Sequence, residues 1–318
     1  MKLNFSIIVP VYNRPQEIEE LLQSISQLDY SDSFEVIIVE DGSSITCKEV
    51  VENFSSKLAI QYFYKENSGP GGSRNYGMER AKGSYFIILD SDVVLPTQYL
   101  KVVSERLQES YTDAFGGPDA AHPDFTPLQK AINYSMTSFL TTGGIRGKKK
   151  GVGKFQPRSF NMGISKKAFQ VTQGFSDMRA GEDIDMTFRL WKSGYTTQLI
   201  EEAYVYHKRR NTIPSFFNQT FAFGTARPIL NRKYPKTKKL TYWFPSLFAL
   251  GFDLSILLLL FGYWQFIAVY GIYFSALFSD ATVENKSFKV GFLSIITALT
   301  QFFGYGLGFL QSLLFPND

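Results

Sequence analysis

Beyond Tyr242 the chain all but loses its charge. Trp243 to Phe261, Tyr263 to Ser279 and Val290 to Phe315 are three stretches rich in Phe, Leu, Ile and Gly, and Asp253 alone interrupts them with a charge. A membrane-spanning helix needs about 20 predominantly apolar residues, so the first and third stretches are long enough and the second is marginal. A short re-entrant or interfacial helix is the alternative for 263–279. The expected role of Asp253 is structural, a carboxylate facing another helix or a headgroup, although intramembrane carboxylates are functional candidates by default. Basic residues run from Arg227 to Lys239 before the first stretch, and Lys286 and Lys289 follow the second. By the positive-inside rule both flanks are cytoplasmic, which places the C-terminus on the far side. Three regions follow: a folded domain over 1–225, a basic juxtamembrane segment over 226–242, and a transmembrane region of about three helices over 243–318.

The N-terminal region reads differently. Leu3 to Val9 is a short apolar run closed by Pro10 and followed by Tyr12-Asn13-Arg14-Pro15. Asn13 is placed to cap a helix whose first turn tolerates Pro15. Ile18, Leu21, Leu22, Ile25 and Leu28 then recur at helical spacing. Strands are expected at Phe34 to Val39, at Leu58 to Tyr64 and at the run that ends on Asp90, with helices between them. Such alternation predicts a mostly parallel α/β sheet whose ligands gather at the carboxyl ends of the strands. Further on, a helix is expected near Tyr99 to Leu107, strands at Asp113 to Gly116 and Phe160 to Ile164, and helices at Lys166 to Val171 and from Gly181 onward. An irregular stretch begins at His122.

Composition excludes some chemistry. The 318 residues give ample core, and the net charge of +4 is mild, so no nucleic-acid polymer is expected as a partner. The single cysteine, Cys47, rules out an intrachain disulfide and a cysteine-based zinc site. It reads as a buried helix residue. Met1 to Val11 lacks a charged leader and enters a strand pattern at once, which predicts no signal peptide.

Chemistry concentrates at a few places. Ser84 to Pro96 is an apolar strand that ends on two carboxylates, Asp90 and Asp92, hard oxygen ligands that suit Mg²⁺ or Mn²⁺. Gly69, Gly71 and Gly72 precede a helix and would let backbone N–H groups approach a phosphate, with Arg74 as a fixed cation. Their spacing is neither a Rossmann fingerprint nor a Walker A loop. Glu182 and Asp183 open an amphipathic helix, where acidic residues also satisfy the free N–H groups of the first turn. The Gly143 to Gly153 segment is strongly positive, either a solvated loop or one that closes on an anionic substrate.

In order, Ser-Ile-Ile-Val-Pro-Val-Tyr-Asn, Val-Glu-Asp-Gly-Ser, Asn-Ser-Gly-Pro-Gly-Gly-Ser-Arg-Asn-Tyr-Gly, Leu-Asp-Ser-Asp and Gly-Glu-Asp-Ile-Asp-Met-Thr-Phe-Arg-Leu resemble a family-two glycosyltransferase of the GT-A fold, membrane-anchored and of bacterial type. The resemblance covers roughly residues 4 to 210. It implies a Rossmann-like domain and a nucleotide-sugar site of Pro10, Tyr12, Arg14, Asp41, Arg74, Asp90 and Ser91. It also implies a divalent cation, Mn²⁺ or Mg²⁺, on Asp90 and Asp92 with His207 as a further ligand, and Asp183 as general base beside Glu182. The implied reaction is an inverting transfer from a nucleotide sugar, a UDP-sugar favoured, to a lipid-linked or glycan acceptor. The implied setting is cell-envelope polysaccharide or glycolipid synthesis at the cytoplasmic (inner) membrane, the catalytic domain facing the cytoplasm. Two departures narrow it. Polyprenyl-phosphate mannose-type synthases usually carry Asn-Glu where this chain has Asn13-Arg14, and processive synthases carry Gln-x-x-Arg-Trp where this chain has Gln219-Thr-Phe-Ala-Phe. A single sugar per encounter is therefore expected. A polyprenyl-phosphate glycosyltransferase and an inactive membrane-tethered nucleotide-binding protein are the alternatives.

Overall fold

A computed structural model describes residues 3–120, 122, 124–143 and 155–316. The basic stretch from Arg146 to Lys154, and with it most of the Gly143 to Gly153 loop, lies outside the described residues. The chain divides into two compact units, residues 1–122 with 149–207 and residues 123–148 with 208–318.

The first unit opens with β1 (Phe5–Val11), α1 (Pro15–Ile25), β2 (Phe34–Asp41), α2 (Lys48–Phe54), β3 (Ile60–Lys65), α3 (Gly69–Arg80), β4 (Tyr85–Leu89), β5 (Val93–Val94), α4 (Tyr99–Glu109), β6 (Ala114–Gly116) and β7 (Asp119–Ala120). The chain then contributes α5 (Pro127–Thr137) and α6 (Phe139–Thr142) to the second unit. It returns with β8 (Asn161–Ser165), α7 (Lys166–Thr172), α8 (Glu182–Lys192), β9 (Thr197–Leu199) and β10 (Val205–His207). Seven strands form one sheet in the order β3-β2-β1-β4-β8-β6-β9. The expected parallel half is present: β1 runs parallel to β2 and β4, and β2 to β3. β8 enters antiparallel between β4 and β6, making the sheet mixed.

Strand alternation sorts the core into two layers. Phe5, Ile7, Val9 and Val11 face one side with Ile18, Leu21 and Leu22 of α1 and Leu100 and Val103 of α4. Ile8 faces the other with Met78 of α3 and Met186 and Leu190 of α8. A period of two along a strand buried on both faces requires this division. Gly77 of α3 is needed for the second layer, because a Cβ there would stand 2.7 Å from Ile8 Cγ2.

Asn13 does not cap α1. The N-cap is Arg14, with no side-chain bond. Asn13 instead takes a left-handed φ of 54° and its Oδ1 accepts from the backbone N–H groups of Ser44 and Ile45, each at 2.9 Å. It thus ties the loop after β1 to the loop after β2, a long-range use of the side-chain oxygen that takes the place of capping. Cys47 is buried, but at the N-cap of α2 rather than within it.

The second unit continues with α9 (Ile213–Lys233), two 3₁₀ turns at Pro235–Thr237 and Leu240–Trp243, α10 (Phe244–Leu260), α11 (Trp264–Asn285) and α12 (Phe288–Leu314). Three segments, Leu240–Leu260, Trp264–Asn285 and Phe288–Leu314, are long and apolar enough to cross a membrane. The second is therefore not marginal. Its helix runs past Ser279 to Asn285, and the Tyr134 hydroxyl of α5 donates to Asp280 Oδ2 at 2.6 Å, which gives the first charge beyond the apolar stretch a partner. Asp253 is exposed on α10.

Two helices inside regions expected to be irregular or merely basic pack on α12. Thr126 and Gln129 form a capping box that starts α5, and Thr297 of α12 bonds Ser135 and the Ala131 carbonyl. α9 meets α12 through glycines. A Cβ on Gly224 would lie 2.2 Å from the Tyr305 carbonyl oxygen, and one on Gly308 2.2 Å from that of Phe221. Close backbone approach through small residues is how helices associate where water supplies little driving force.

Candidate active site

Three parallel strands deliver the loops that build the site. β1 ends at Val11, β2 at Asp41 and β4 at Leu89, so residues 12–14, Asp41 and Asp90 all follow the same edge of the sheet. β10 closes it. His207 pairs with Val93 in an antiparallel register, which sets the imidazole beside Asp92.

Asp90, Asp92 and His207 each offer one ligand atom, and these atoms lie within 4.8 Å of one another. His207 Nε2 is 3.3 Å from Asp92 Oδ1, and the Phe160 ring stacks on the imidazole at a centroid distance of 4.7 Å. Asp92 Oδ1 and His207 Nδ1 are buried without a hydrogen bond. A buried oxygen aimed at an imidazole nitrogen yet bonded to nothing, on a site with two carboxylates, fits a divalent cation with mixed oxygen and nitrogen ligands. Mn²⁺ and Mg²⁺ suit that donor set.

Each of these carboxylates also meets an arginine. Arg14 Nη1 donates to Asp92 Oδ2 at 2.5 Å. Burial pushes the Asp92 carboxyl up, yet His207 and Arg14 outweigh burial and hold it below the usual carboxylate range. Arg14 thus lies against a candidate metal ligand. Arg74, buried in α3, donates to Asp90 Oδ1 at 2.6 Å and to Glu182 Oε1 at 3.0 Å. It joins the Asp-x-Asp strand end to the start of α8 and lies over the Phe175 ring at 5.2 Å. Asn75, the next residue, exchanges two 2.8 Å bonds with the Phe175 backbone and so fixes the segment that leads to α8.

Glu182 and Asp183 form the first turn of α8 after Gly181, whose φ of 80° favours glycine. Burial and the adjacent Asp183 push the Glu182 carboxyl up, and Arg74 offsets part of that. Asp183 does not share Arg74. Its Oδ2 lies 3.6 Å from Arg158 Nη1. Arg158 sits just before β8 in no recognisable motif, and its charge among Gln156, Pro157 and Ser159 was the sole signal.

The other expected ligands of the nucleotide spread along the edge. Pro10 is buried in β1 opposite Val39, Tyr12 is exposed, and Ser91 is buried between the two aspartates. Asp41 is held rather than free: its Oδ1 accepts from Lys65 Nζ at 2.7 Å and from the Ser68 N–H at 2.9 Å, and Asn67 donates to its carbonyl. Lys65, at the end of β3, was not singled out by any motif. Beneath this loop Glu40 is fully buried and accepts from Ser43 Oγ and from the N–H and thiol of Cys47. Burial and Glu40 push the Cys47 thiol far up, leaving it inert.

Residues 6–172 match the family described as Glycosyl transferase family 2, and residues 159–279 match Glycosyl transferase family group 2. The chain is 35% identical over 232 residues to the GalNAc(5)-diNAcBac-PP-undecaprenol beta-1,3-glucosyltransferase of Campylobacter jejuni, with 70% of this chain and 68% of that protein aligned. It is 33% identical over 152 residues to the poly(ribitol-phosphate) beta-N-acetylglucosaminyltransferase TarS of Staphylococcus aureus, covering 42% of this chain and 26% of TarS. Among solved structures, the mannosyltransferase PcManGT from Pyrobaculum calidifontis in complex with GDP-Man and Mn²⁺ aligns with a TM-score of 0.61 at 16% identity, over 100% of this chain and 89% of that one. S. aureus TarS 1–349 in complex with UDP-GlcNAc aligns at 0.50 and 18% identity, over 98% and 92%. At these identities the likeness shows the fold, which is GT-A.

Proposed function

The chain belongs to glycosyl transferase family 2, and on that premise we propose that it moves one sugar, with inversion, from a nucleotide sugar to a lipid-linked or membrane-proximal glycan acceptor. The observation that carries this reading is the convergence of two centres joined through one guanidinium. Asp90, Asp92 and His207 gather on one side, the start of α8 stands on the other, and Arg74 bonds both Asp90 and Glu182.

Asp183 accepts the proton of the acceptor hydroxyl as that oxygen attacks the anomeric carbon. Arg158 holds the far side of the Asp183 carboxylate. Glu182 and Arg74 orient the donor, and Arg74 also faces the diphosphate with a charge that burial does not remove. Asp90, Asp92 and His207 would hold a divalent cation, which when bound neutralises charge developing on the departing diphosphate. Tyr12 and the loop anchored by Asp41 line the edge where the base and ribose lie. One base and no enzymic nucleophile distinguish this from a retaining glycosidase.

The relatives support the finer points. The C. jejuni enzyme acts on an undecaprenol-linked glycan, and TarS is a beta-N-acetylglucosaminyltransferase whose structure holds UDP-GlcNAc. A beta product from an alpha-linked UDP-sugar implies inversion, and a UDP-sugar is the favoured donor here. The three apolar helices and their basic flanks support residence in the cytoplasmic membrane, the catalytic unit facing the cytoplasm and the C-terminus outside. Synthesis of an envelope polysaccharide or glycolipid is the setting.

The test is a thermal-shift screen of nucleotide sugars with and without Mn²⁺, followed by transfer from the best donor onto extracted membrane lipids. A ligand at about 100 times its Kd stabilises by about 2.7 kcal/mol. A UDP-sugar that shifts the melting point only with Mn²⁺, and is then consumed by lipid extract, is the expected result. Nucleotide binding with neither transfer nor hydrolysis would instead mark an inactive binding protein.

A further inference from the structure

Arg227 stands within α9, in the second unit, and among the described residues no carboxylate pairs with its charge. Its guanidinium carbon lies 4.2 Å from the centroid of the Tyr242 ring. Tyr305 of α12 interacts with it through its hydroxyl. Nη1 of Arg227 is buried and has no hydrogen-bond partner, and one turn further on Asn231 Oδ1 is also buried and unbonded. Arg106, Arg158 and Arg189, by contrast, each meet an acid. A buried donor on a charged group is costly to leave unmade, and a bare guanidinium edge is a ready phosphate receptor.

The surroundings select the ligand. From Arg227 to Lys239 there are six basic residues and no acidic one. Arg232 is engaged elsewhere, donating to the Ser312 carbonyl at 3.2 Å. The stretch ends against Leu240, 86% exposed, and then Trp243 and Phe244, where a segment long and apolar enough to cross a membrane begins. Basic residues followed by an aromatic pair at the start of such a segment are placed at headgroup depth. We propose that Arg227, Asn231, Tyr242 and Tyr305 form a binding site for the phosphate headgroup of an anionic membrane phospholipid. The guanidinium binds two phosphoryl oxygens side by side, the Tyr305 hydroxyl adds a donor, Asn231 Oδ1 is free to accept from a headgroup hydroxyl, Tyr242 holds the guanidinium plane, and the exposed apolar residues at 240–244 lie along the acyl chains. The site differs from a diffuse basic surface in needing Arg227 more than the exposed Lys236, Lys238 and Lys239.

The test uses the full chain in a neutral detergent with added phosphatidylglycerol or phosphatidylcholine, read by thermal unfolding and by lipid adducts in native mass spectrometry. Phosphatidylglycerol should raise the melting point by roughly 3–6 °C and remain as one retained adduct, while phosphatidylcholine does neither. Arg227→Gln should abolish the adduct and most of the shift, and the triple change Lys236→Gln, Lys238→Gln, Lys239→Gln should keep both. If Arg227→Gln does not fold, Tyr242→Leu replaces it, with loss of the adduct expected again. The proposal is overturned if Arg227→Gln responds to phosphatidylglycerol as the wild type does, if the shift follows the three lysines, or if phosphatidylcholine stabilises equally. Inorganic phosphate at roughly 10 mM reproducing the full shift without lipid would also overturn it in favour of a free-anion site.

Discussion

Arg14 donates to Asp92 Oδ2 at 2.5 Å across 78 residues of sequence, and this leaves Asp92 Oδ1 facing His207 Nε2 at 3.3 Å. One oxygen of the carboxylate is held by a fixed cation while the other is presented, unbonded, to the imidazole. If Asp92 is a metal ligand as proposed, Arg14 would have two opposed effects on the ion: it aims a ligand, which favours binding, and it brings a positive charge close, which opposes it. The next residue, Val93, is already held by its pairing with His207 of β10, so the charge effect is expected to be the larger.

Arg14→Gln should lower stability without metal by about 1–2 kcal/mol, since a largely buried carboxylate loses a partner that is itself partly exposed. It should also enlarge the Mn²⁺-induced rise in melting point. A rise equal to or smaller than that of the wild type, read by differential scanning fluorimetry, would mean that Arg14 acts chiefly by aiming Asp92.

Glu182 gives a pH signature. Its carboxyl is raised in the fold, so between its unfolded value and its folded one the native state holds the proton while the unfolded chain has released it. Stability then falls as pH rises through that window. Glu182→Gln mimics the protonated form. It should match the wild type near pH 4 and exceed it in melting temperature at about pH 7.5. A variant less stable than the wild type at the higher pH would show that the Arg74 bond outweighs burial and Asp183.

How far the sequence carries can be seen residue by residue. β1 to β4 were legible because each is an apolar run that ends in a polar turn, and Asp90 and Asp92 were legible because they end the most apolar of them. The place of β8 was not, since nothing local tells a strand that it will insert antiparallel beside β4. α9 escaped because its phenylalanines, Phe216, Phe217, Phe221 and Phe223, ring the helix rather than lie on one side. Asn13 misled because a short polar side chain before a helix fits a cap and a loop tie equally well. Arg158 and Lys65 are single charges whose partners lie 25 and 24 positions away, and only folding brings each pair together.

The glycines between α9 and α12 should be intolerant. Gly224→Ala and Gly308→Ala each push a methyl against a backbone carbonyl, so each should destabilise by about 1–3 kcal/mol despite the better helix propensity of alanine. At Gly271 in α11 an added methyl would meet open space, with nothing within 4 Å, and Gly271→Ala should be neutral or stabilising. Thermal unfolding in detergent separates them; equal effects at all three sites would refute the close α9–α12 packing.

Topology is open to thiol labelling because Cys47 is buried and inert. In sealed inside-out vesicles Ser287→Cys should react with an impermeant maleimide, and Pro316→Cys should react only after the membrane is opened. Both reacting from one side would contradict three complete spans and favour an interfacial second or third helix.

The central claim is that Asp183 accepts the acceptor's proton. The direct measurement is nucleotide-sugar affinity and turnover of Asp183→Asn beside the wild type, with a verified acceptor. Affinity should stay within about twofold while turnover falls on the order of 10²–10⁴-fold. Glu182→Gln should lose less. Turnover equal to the wild type would contradict the assignment outright, and a parallel loss of donor affinity would make Asp183 a residue that positions the donor rather than the base.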